Sequence, residues 1–119
     1  MIETKRTYDK HEAEDGFRIL VDRLWQRRLK KTDVKMDVWQ KDIAPSTSLR
    51  KWFNHDQRKW NEFKSRYYQK LQIKKESIGL LLEKAEEWTI TLLYSSKEEK
   101  YNNAIALKEY LEVKLKHKI

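Results

Sequence analysis

Between Ser46 and Ala85 the apolar residues recur at helical spacing, and the runs rich in strand-forming residues lie on either side of that stretch. Trp60, Phe63, Tyr67 and Leu71 fall on one helical face, and Ile78, Leu81, Leu82 and Ala85 mark a second helix. A shorter helix precedes them. Pro45 ends the element before it, Ser46 is a good N-cap, and Leu49, Trp52 and Phe53 follow. Asp56 is placed to cap the next helix. Thr89-Ile90-Thr91-Leu92-Leu93-Tyr94 is short and rich in β-formers, and predicts a strand. Ser96 and Glu99 form a capping-box pattern for a last helix that buries Ala104, Leu107, Leu111 and Leu115.

Upstream, Ile2 to Tyr8 predicts a first strand and Asp9 to Asp15 a polar loop. Gly16 then opens Phe17-Arg18-Ile19-Leu20-Val21-Asp22-Arg23-Leu24, an apolar run suited to a strand covered on both faces. Val34 to Ile43 predicts a third strand, with a helix as the alternative because residues 36, 38 and 40 do not alternate cleanly. Strands separated by helical crossovers predict an α/β fold, a small, mostly parallel sheet of about four strands covered by helices. The 119 residues suffice for one core, so a single domain over 1–119 is expected. In such sheets ligands bind beyond the carboxyl ends of the strands.

Composition removes several classes of chemistry. The chain has no cysteine, which excludes disulfides, thiolate nucleophiles, iron–sulfur clusters and Cys-based zinc sites. No His and carboxylate spacing fits a metal site, so neither metal nor cofactor is expected. Met1-Ile2-Glu3-Thr4-Lys5-Arg6 lacks the apolar stretch of a signal peptide, and the longest apolar runs are too short to cross a bilayer. The expectation is a cytoplasmic protein with no membrane partner. The net charge of +8 favours anionic partners. Oligomeric state is not legible.

Three predicted strand ends carry polar chemistry. Asp22-Arg23 closes the second strand and leads to Trp25 and Arg27. Asp42 leads to Ser46, Thr47, Ser48 and Arg50. Tyr94-Ser95-Ser96-Lys97 closes the last strand. Parallel strands bring these turns to one rim. At the second turn, hydroxyls and a guanidinium stand beside a helix N-terminus, which suits an anion, although ordinary capping needs no ligand. Asp22 reads as a proton acceptor or as half of an ion pair with Arg18 or Arg50. His55 reads as an acid–base residue or as a helix C-terminal cap. His11 and His117 read as loop and tail residues. Asn102-Asn103, poor helix formers early in the last helix, read as facing a polar site.

Trp60, Phe63 and Tyr67 read as core. Trp25 and Trp52 lie beside basic residues and suit a binding surface. Arg27, Arg28, Lys30 and Lys31 form the densest basic run, either a phosphate-contacting loop or a solvated one.

Taken together, Asp15-Gly16-Phe17-Arg18-Ile19-Leu20-Val21-Asp22-Arg23-Leu24-Trp25, the block from Trp39 to Asp56, Thr91 to Lys97 and Asn102 to Leu111 resemble the YeaO-like family of small bacterial proteins, the domain of unknown function numbered 488. The resemblance spans nearly the whole chain, in order. It implies a small cytosolic α/β domain and brings no activity with it. The family pattern continues after Trp25 with Pro-Arg-Gly, where this chain has Gln26-Arg27-Arg28, and it has Asn-His where this chain has Asn102-Asn103. Any acid–base work by that His is absent here.

The expectation is a rim site for an anionic, phosphate-bearing small molecule. Arg18, Arg23, Trp25, Arg27, Ser46, Arg50, Trp52, Tyr94, Ser95 and Asn102 are its candidate contacts, with Arg23, Arg27 and Arg50 holding the anion. Asp22 and His55 are the candidates for proton transfer, were the chain a hydrolase or transferase. The rival expectation is a non-catalytic nucleic-acid-binding module using residues 27–31, with Trp25 and Trp52 as stacking platforms.

Overall fold

The computed structural model describes residues 1–25 and 34–117. Four strands, β1 (Ile2–Arg6), β2 (Phe17–Leu20), β3 (Val38–Trp39) and β4 (Ile90–Tyr94), form one sheet in the order β1-β4-β2-β3, every pairing parallel. The last strand in sequence therefore lies inside the sheet. All five of its residues are buried, which is why it reads as an unbroken β-forming run rather than as an alternation. Ile90 is in register with Ile2 on one side and Phe17 on the other.

The helices are α1 (Thr47–Phe53), α2 (Trp60–Ile73), α3 (Lys75–Glu87) and α4 (Asn103–Lys116). α4 packs on β1 and β4, α3 on α4 and α2, and α2 on α1. Strand residues of one parity, Ile19, Ile90 and Leu92, join the main core with Phe63, Tyr67, Leu71, Leu107 and Leu111. Each such fully buried side chain contributes about 1.5–3 kcal/mol. Tyr67 is buried whole, and its hydroxyl donates to the Ile43 carbonyl at 2.6 Å. Burial pushes that phenol far above its usual pKa, so it stays protonated.

Residues of the opposite parity face the other side of the sheet. There Leu20, Leu93 and Val34 form a smaller cluster with Trp25, Met36 and Trp39 packed against it. Arg18, also of this parity, is 3% exposed and pairs with Asp15, itself also bonded by Lys5. Arg18 is thus the partner of Asp15 and not of Asp22.

Gly16 fixes the start of β2. Its φ is +65°, and a Cβ there would sit 2.1 Å from the Thr89 carbonyl oxygen. That oxygen accepts the Phe17 N–H at 2.9 Å, so the close approach belongs to the start of the β2–β4 pairing.

Several local expectations are corrected. The third strand is two residues long, and Lys41–Ile43 forms a 3-10 turn. The polar loop before β2 ends in another such turn, Ala13–Asp15. Asp56 caps the 3-10 turn Gln57–Lys59 that leads into α2, rather than α2 itself. α4 begins later than Ser96 and Glu99 suggest, with Asn102 as its N-cap. The Ser96 hydroxyl instead donates to the Glu98 carbonyl, and the Glu98 carboxylate accepts from the Lys100 and Tyr101 N–H groups. Among the described residues, no helix is long and apolar enough to cross a membrane.

Candidate functional site

The two inner strands end side by side, with Leu20 in register with Leu93. Beyond them the Val21 N–H still donates to the Leu93 carbonyl, at 3.1 Å, and then the chains diverge. Asp22 and Ser95 occupy that divergence. The Ser95 N–H and hydroxyl both donate to Oδ2 of Asp22, at 2.9 and 2.6 Å. Asn103, the first residue of α4, donates through Nδ2 to Oδ1 of Asp22 at 3.1 Å and to the Val21 carbonyl at 2.9 Å. The Trp39 indole donates to the Asp22 backbone carbonyl at 2.7 Å. The carboxylate is therefore gripped from β4 and α4 while its backbone is held from β3.

A cleft of about 310 Å³ opens over these residues. Asp22, Arg23, Arg50, His55, Ser95 and Asn103 form its polar wall. Trp25, Pro45, Phe53 and Phe63 form its apolar wall. Phe53 and Phe63 stack with centroids 4.2 Å apart, which makes that wall flat and firm.

The cations of the cleft are held differently. Arg23 is anchored, with Nε donating to the Pro45 carbonyl at 3.1 Å. Arg50, exposed in the middle of α1, makes no ion pair or side-chain hydrogen bond among the described residues. Behind them the Lys70 ammonium donates to the Ala44 carbonyl. Burial, then the charges of Arg23 and Lys74, hold the Lys70 pKa below its usual value. Arg23 thus shares a positive neighbourhood that favours an anion.

His55 reaches the cleft through an unusual turn. Asn54 and His55 both have positive φ, 45° and 55°, and Asn54 closes α1 as its C-cap. A left-handed His is uncommon outside such turns. The ring is held by the Tyr101 carbonyl, 2.9 Å from Nδ1, and meets the edge of Phe53. With Nδ1–H given to that carbonyl, Nε2 is the nitrogen left for a ligand.

Of the residues expected at the rim, Asp22, Arg23, Trp25, Arg50, His55 and Ser95 line this one cleft. Others lie elsewhere. Ser46 caps α1, its Oγ accepting the Leu49 N–H at 3.1 Å, and α1 has only seven residues. Trp52 is flanked by Lys59 and Arg66, whose charges lie 4.9 and 4.5 Å from its ring centroid. Tyr94 is 5% exposed, within the core. Asn102 is fully buried and spends its amide on the cap of α4, accepting from Ile105 and donating to the Glu98 carbonyl. Arg18 lies on the other side of the sheet. Arg27 and the basic run over 27–31 lie outside the described residues, as do Gln26 and Arg28.

Phe53, Phe63 and Pro45 are cleft residues the sequence did not single out as contacts, whereas Asn103 is one that it reads, with Asn102, as facing a polar site. The two phenylalanines sit at core spacing, and nothing in that spacing separates a cleft wall from a core. Asn103 does carry a signal, because a poor helix former at the first position of a helix calls for a partner. Among the described residues no group of three or more His, Asp or Glu side chains gathers as a metal site.

A four-stranded parallel sheet packed with helices, its inner strands ending at a cleft, defines a small α/β domain. The chain belongs to the family described as the inactive DUF488-N3 subclade, whose profile matches residues 1–119. It is 43% identical to the uncharacterized protein YeaO of Escherichia coli over 92% of this chain and 96% of that protein. It is also 40% identical to the uncharacterized proteins Mb3100c of Mycobacterium bovis and Rv3073c of Mycobacterium tuberculosis, over 59% of each chain. No solved structure matches.

Proposed function

We propose that this chain binds a small organic anion, phosphate-bearing and with a flat apolar portion, and does so without turning it over. The observation that carries the reading is Arg50. It lines the same cleft as Arg23 with no counter-ion among the described residues, and the stacked Phe53 and Phe63 line that cleft too. A guanidinium pair suits the charged oxygens of a phosphate, and the aromatic wall suits a planar body.

Two features support binding rather than catalysis. Both Asp22 carboxylate oxygens already accept hydrogen bonds from Ser95 and Asn103. The family pattern read from the sequence has His where this chain has Asn103, and an amide cannot take up and release a proton as an imidazole does. The description of the family as inactive agrees with that reading. His55 then serves as a donor or acceptor to the ligand rather than as one half of a relay.

Thermal unfolding against nucleotides, sugar phosphates and short oligonucleotides tests the proposal. A ligand at about a hundred times its dissociation constant adds roughly 2.7 kcal/mol. One small organic phosphate is expected to stabilise the wild type and not Arg50→Ala. Stabilisation by oligonucleotides alone, steeply dependent on salt and indifferent to Arg50→Ala, would instead select a nucleic-acid-binding module.

A further inference from the structure

On the far side of the sheet from the helices, Thr7 follows β1 with its N–H donated to the Tyr94 carbonyl at 2.8 Å. The residue is 5% exposed, and its hydroxyl is buried with no hydrogen-bond partner among the described residues. Buried hydroxyls are normally satisfied, so an unpartnered one on the lining of a hollow points to a site for a polar ligand. Such a cavity is present. A hollow of about 470 Å³ is lined by Thr7, Asp9, Lys10, His11, Arg18 and Lys35.

Arg18 is the second buried polar group here, at 3% exposure. Its Nε donates to the Lys35 carbonyl and its Nη1 to Asp15. A guanidinium has five N–H donors, so these bonds fix its plane and leave others uncommitted. Lys10 and Lys35 bring two more cations with no ion pair among the described residues. Asp9 is the one carboxylate on the lining, and it accepts the Arg6 N–H at 3.1 Å. Asp15, which pairs with Arg18, is shared with Lys5 and does not line the hollow.

We infer that this hollow is a second anion site, distinct from the cleft, that takes a phosphate group with Thr7 Oγ and the Arg18 guanidinium as its fixed donors. With Arg18 paired to Asp15, Lys10 and Lys35 still outnumber Asp9 on the lining, which favours an anion. The Thr7 backbone is fixed by the Tyr94 carbonyl and the Arg18 guanidinium by Asp15 and the Lys35 carbonyl, so much of the lining is ordered before the ligand arrives. Lys10 and Lys35 close on the outer oxygens. The group arrives as inorganic phosphate or as the head of a phosphomonoester.

Titration of the full-length chain with inorganic phosphate, followed by 15N-resolved NMR at constant ionic strength, tests this site. Resonances of Thr7, Lys35 and the Arg18 Nε are expected to move together. Thr7→Val keeps the shape and removes the hydroxyl, and should raise the dissociation constant at least tenfold while the protein unfolds at a higher temperature without phosphate. Lys10→Ala with Lys35→Ala, both on exposed or edge positions, should weaken binding at least as much. Arg50→Ala should leave the response intact, which separates this site from the cleft. Glycerol phosphate in the same titration tells a free ion from an ester head by which binds tighter. An unmoved Thr7, or equal affinity in wild type, Thr7→Val and the double lysine variant, overturns the proposal.

Discussion

Asn103 and Asp22 stand 81 positions apart in the chain and meet with the amide nitrogen 3.1 Å from the carboxylate. The same nitrogen reaches the Val21 carbonyl, so one side chain ties the start of α4 to the end of β2. Removing it takes this donor from the Val21 carbonyl and from Oδ1 of Asp22, while Ser95 still holds Oδ2. Asn103→Ala is expected to cost about 1–3 kcal/mol in urea unfolding. Asn103→Asp puts a second carboxylate against the first. Its deficit relative to wild type should be greatest at neutral pH and shrink as the pH falls through the carboxylate range. A pH-independent deficit would mean that the contact matters for packing alone.

Gly16→Ala is the most damaging small substitution the fold predicts. The backbone there has φ +65° and ψ −130°, a region L side chains avoid, and the added carbon would meet the Thr89 carbonyl oxygen at 2.1 Å. That oxygen cannot retreat without releasing the Phe17 N–H. Strain and overlap together should cost about 3 kcal/mol or more. The check is the urea midpoint, or the soluble yield if the variant fails to fold. A loss below about 1 kcal/mol would show that the β2–β4 junction yields more readily than its geometry implies.

Much of this architecture was legible because it is local. The uniform β-forming run over Thr89–Tyr94 is a strand since every residue of β4 is buried. Trp60, Phe63, Tyr67 and Leu71 sit at helical spacing, and three of them are buried in α2. What was not legible is what the sheet order decides. Asp22 is held by Ser95 and Asn103 because β4 inserts beside β2, and nothing near Asp22 in sequence announces either partner. The start of α4 misleads for a different reason. Ser96, Glu98, Glu99 and Asn102 all belong to the capping vocabulary, and only the fold determines which one binds the free N–H groups. Arg18 is expected at the carboxyl-end rim, yet it lies near the start of β2 and its carboxylate partner is three residues upstream, across the Gly16 turn.

The pairing of Asp15 with Lys5 and Arg18 predicts a pH profile. Burial pushes the Asp15 carboxyl upward, but the Glu12 N–H, Lys5 and Arg18 outweigh it, and its pKa lies below the usual range. A depressed carboxylate contributes stability that is present above its unfolded pKa, about 3.9, and is lost as the pH falls toward the folded value. Lys5 acts in the opposite direction. Burial lowers its pKa, but its bonds to Glu12 and Asp15 raise it above the usual value. Its contribution is full below about 10.4 and is lost as the pH rises further. Stability should therefore decline at both extremes. In a carbon-detected titration the Asp15 carboxyl should have a midpoint below the usual aspartate value of about 3.9. A midpoint at or above that value would contradict the pairing.

Gly79 offers the converse of Gly16. It lies within α3, and a Cβ built there meets nothing within 4 Å. Glycine in a helix loses more backbone freedom on folding than alanine does and adds no side-chain contact. Gly79→Ala should therefore stabilise the chain by about 0.5–1 kcal/mol, seen as a higher urea midpoint with an unchanged slope. The position lies on the wall of a hollow with Leu71, Ile78, Leu82 and Tyr110, away from the cleft and from Thr7. The variant should keep the wild-type response to organic phosphates and to inorganic phosphate. Lost stability would require the α3 backbone at Gly79 to leave helical geometry, and a changed ligand response would couple α3 to a site it does not touch.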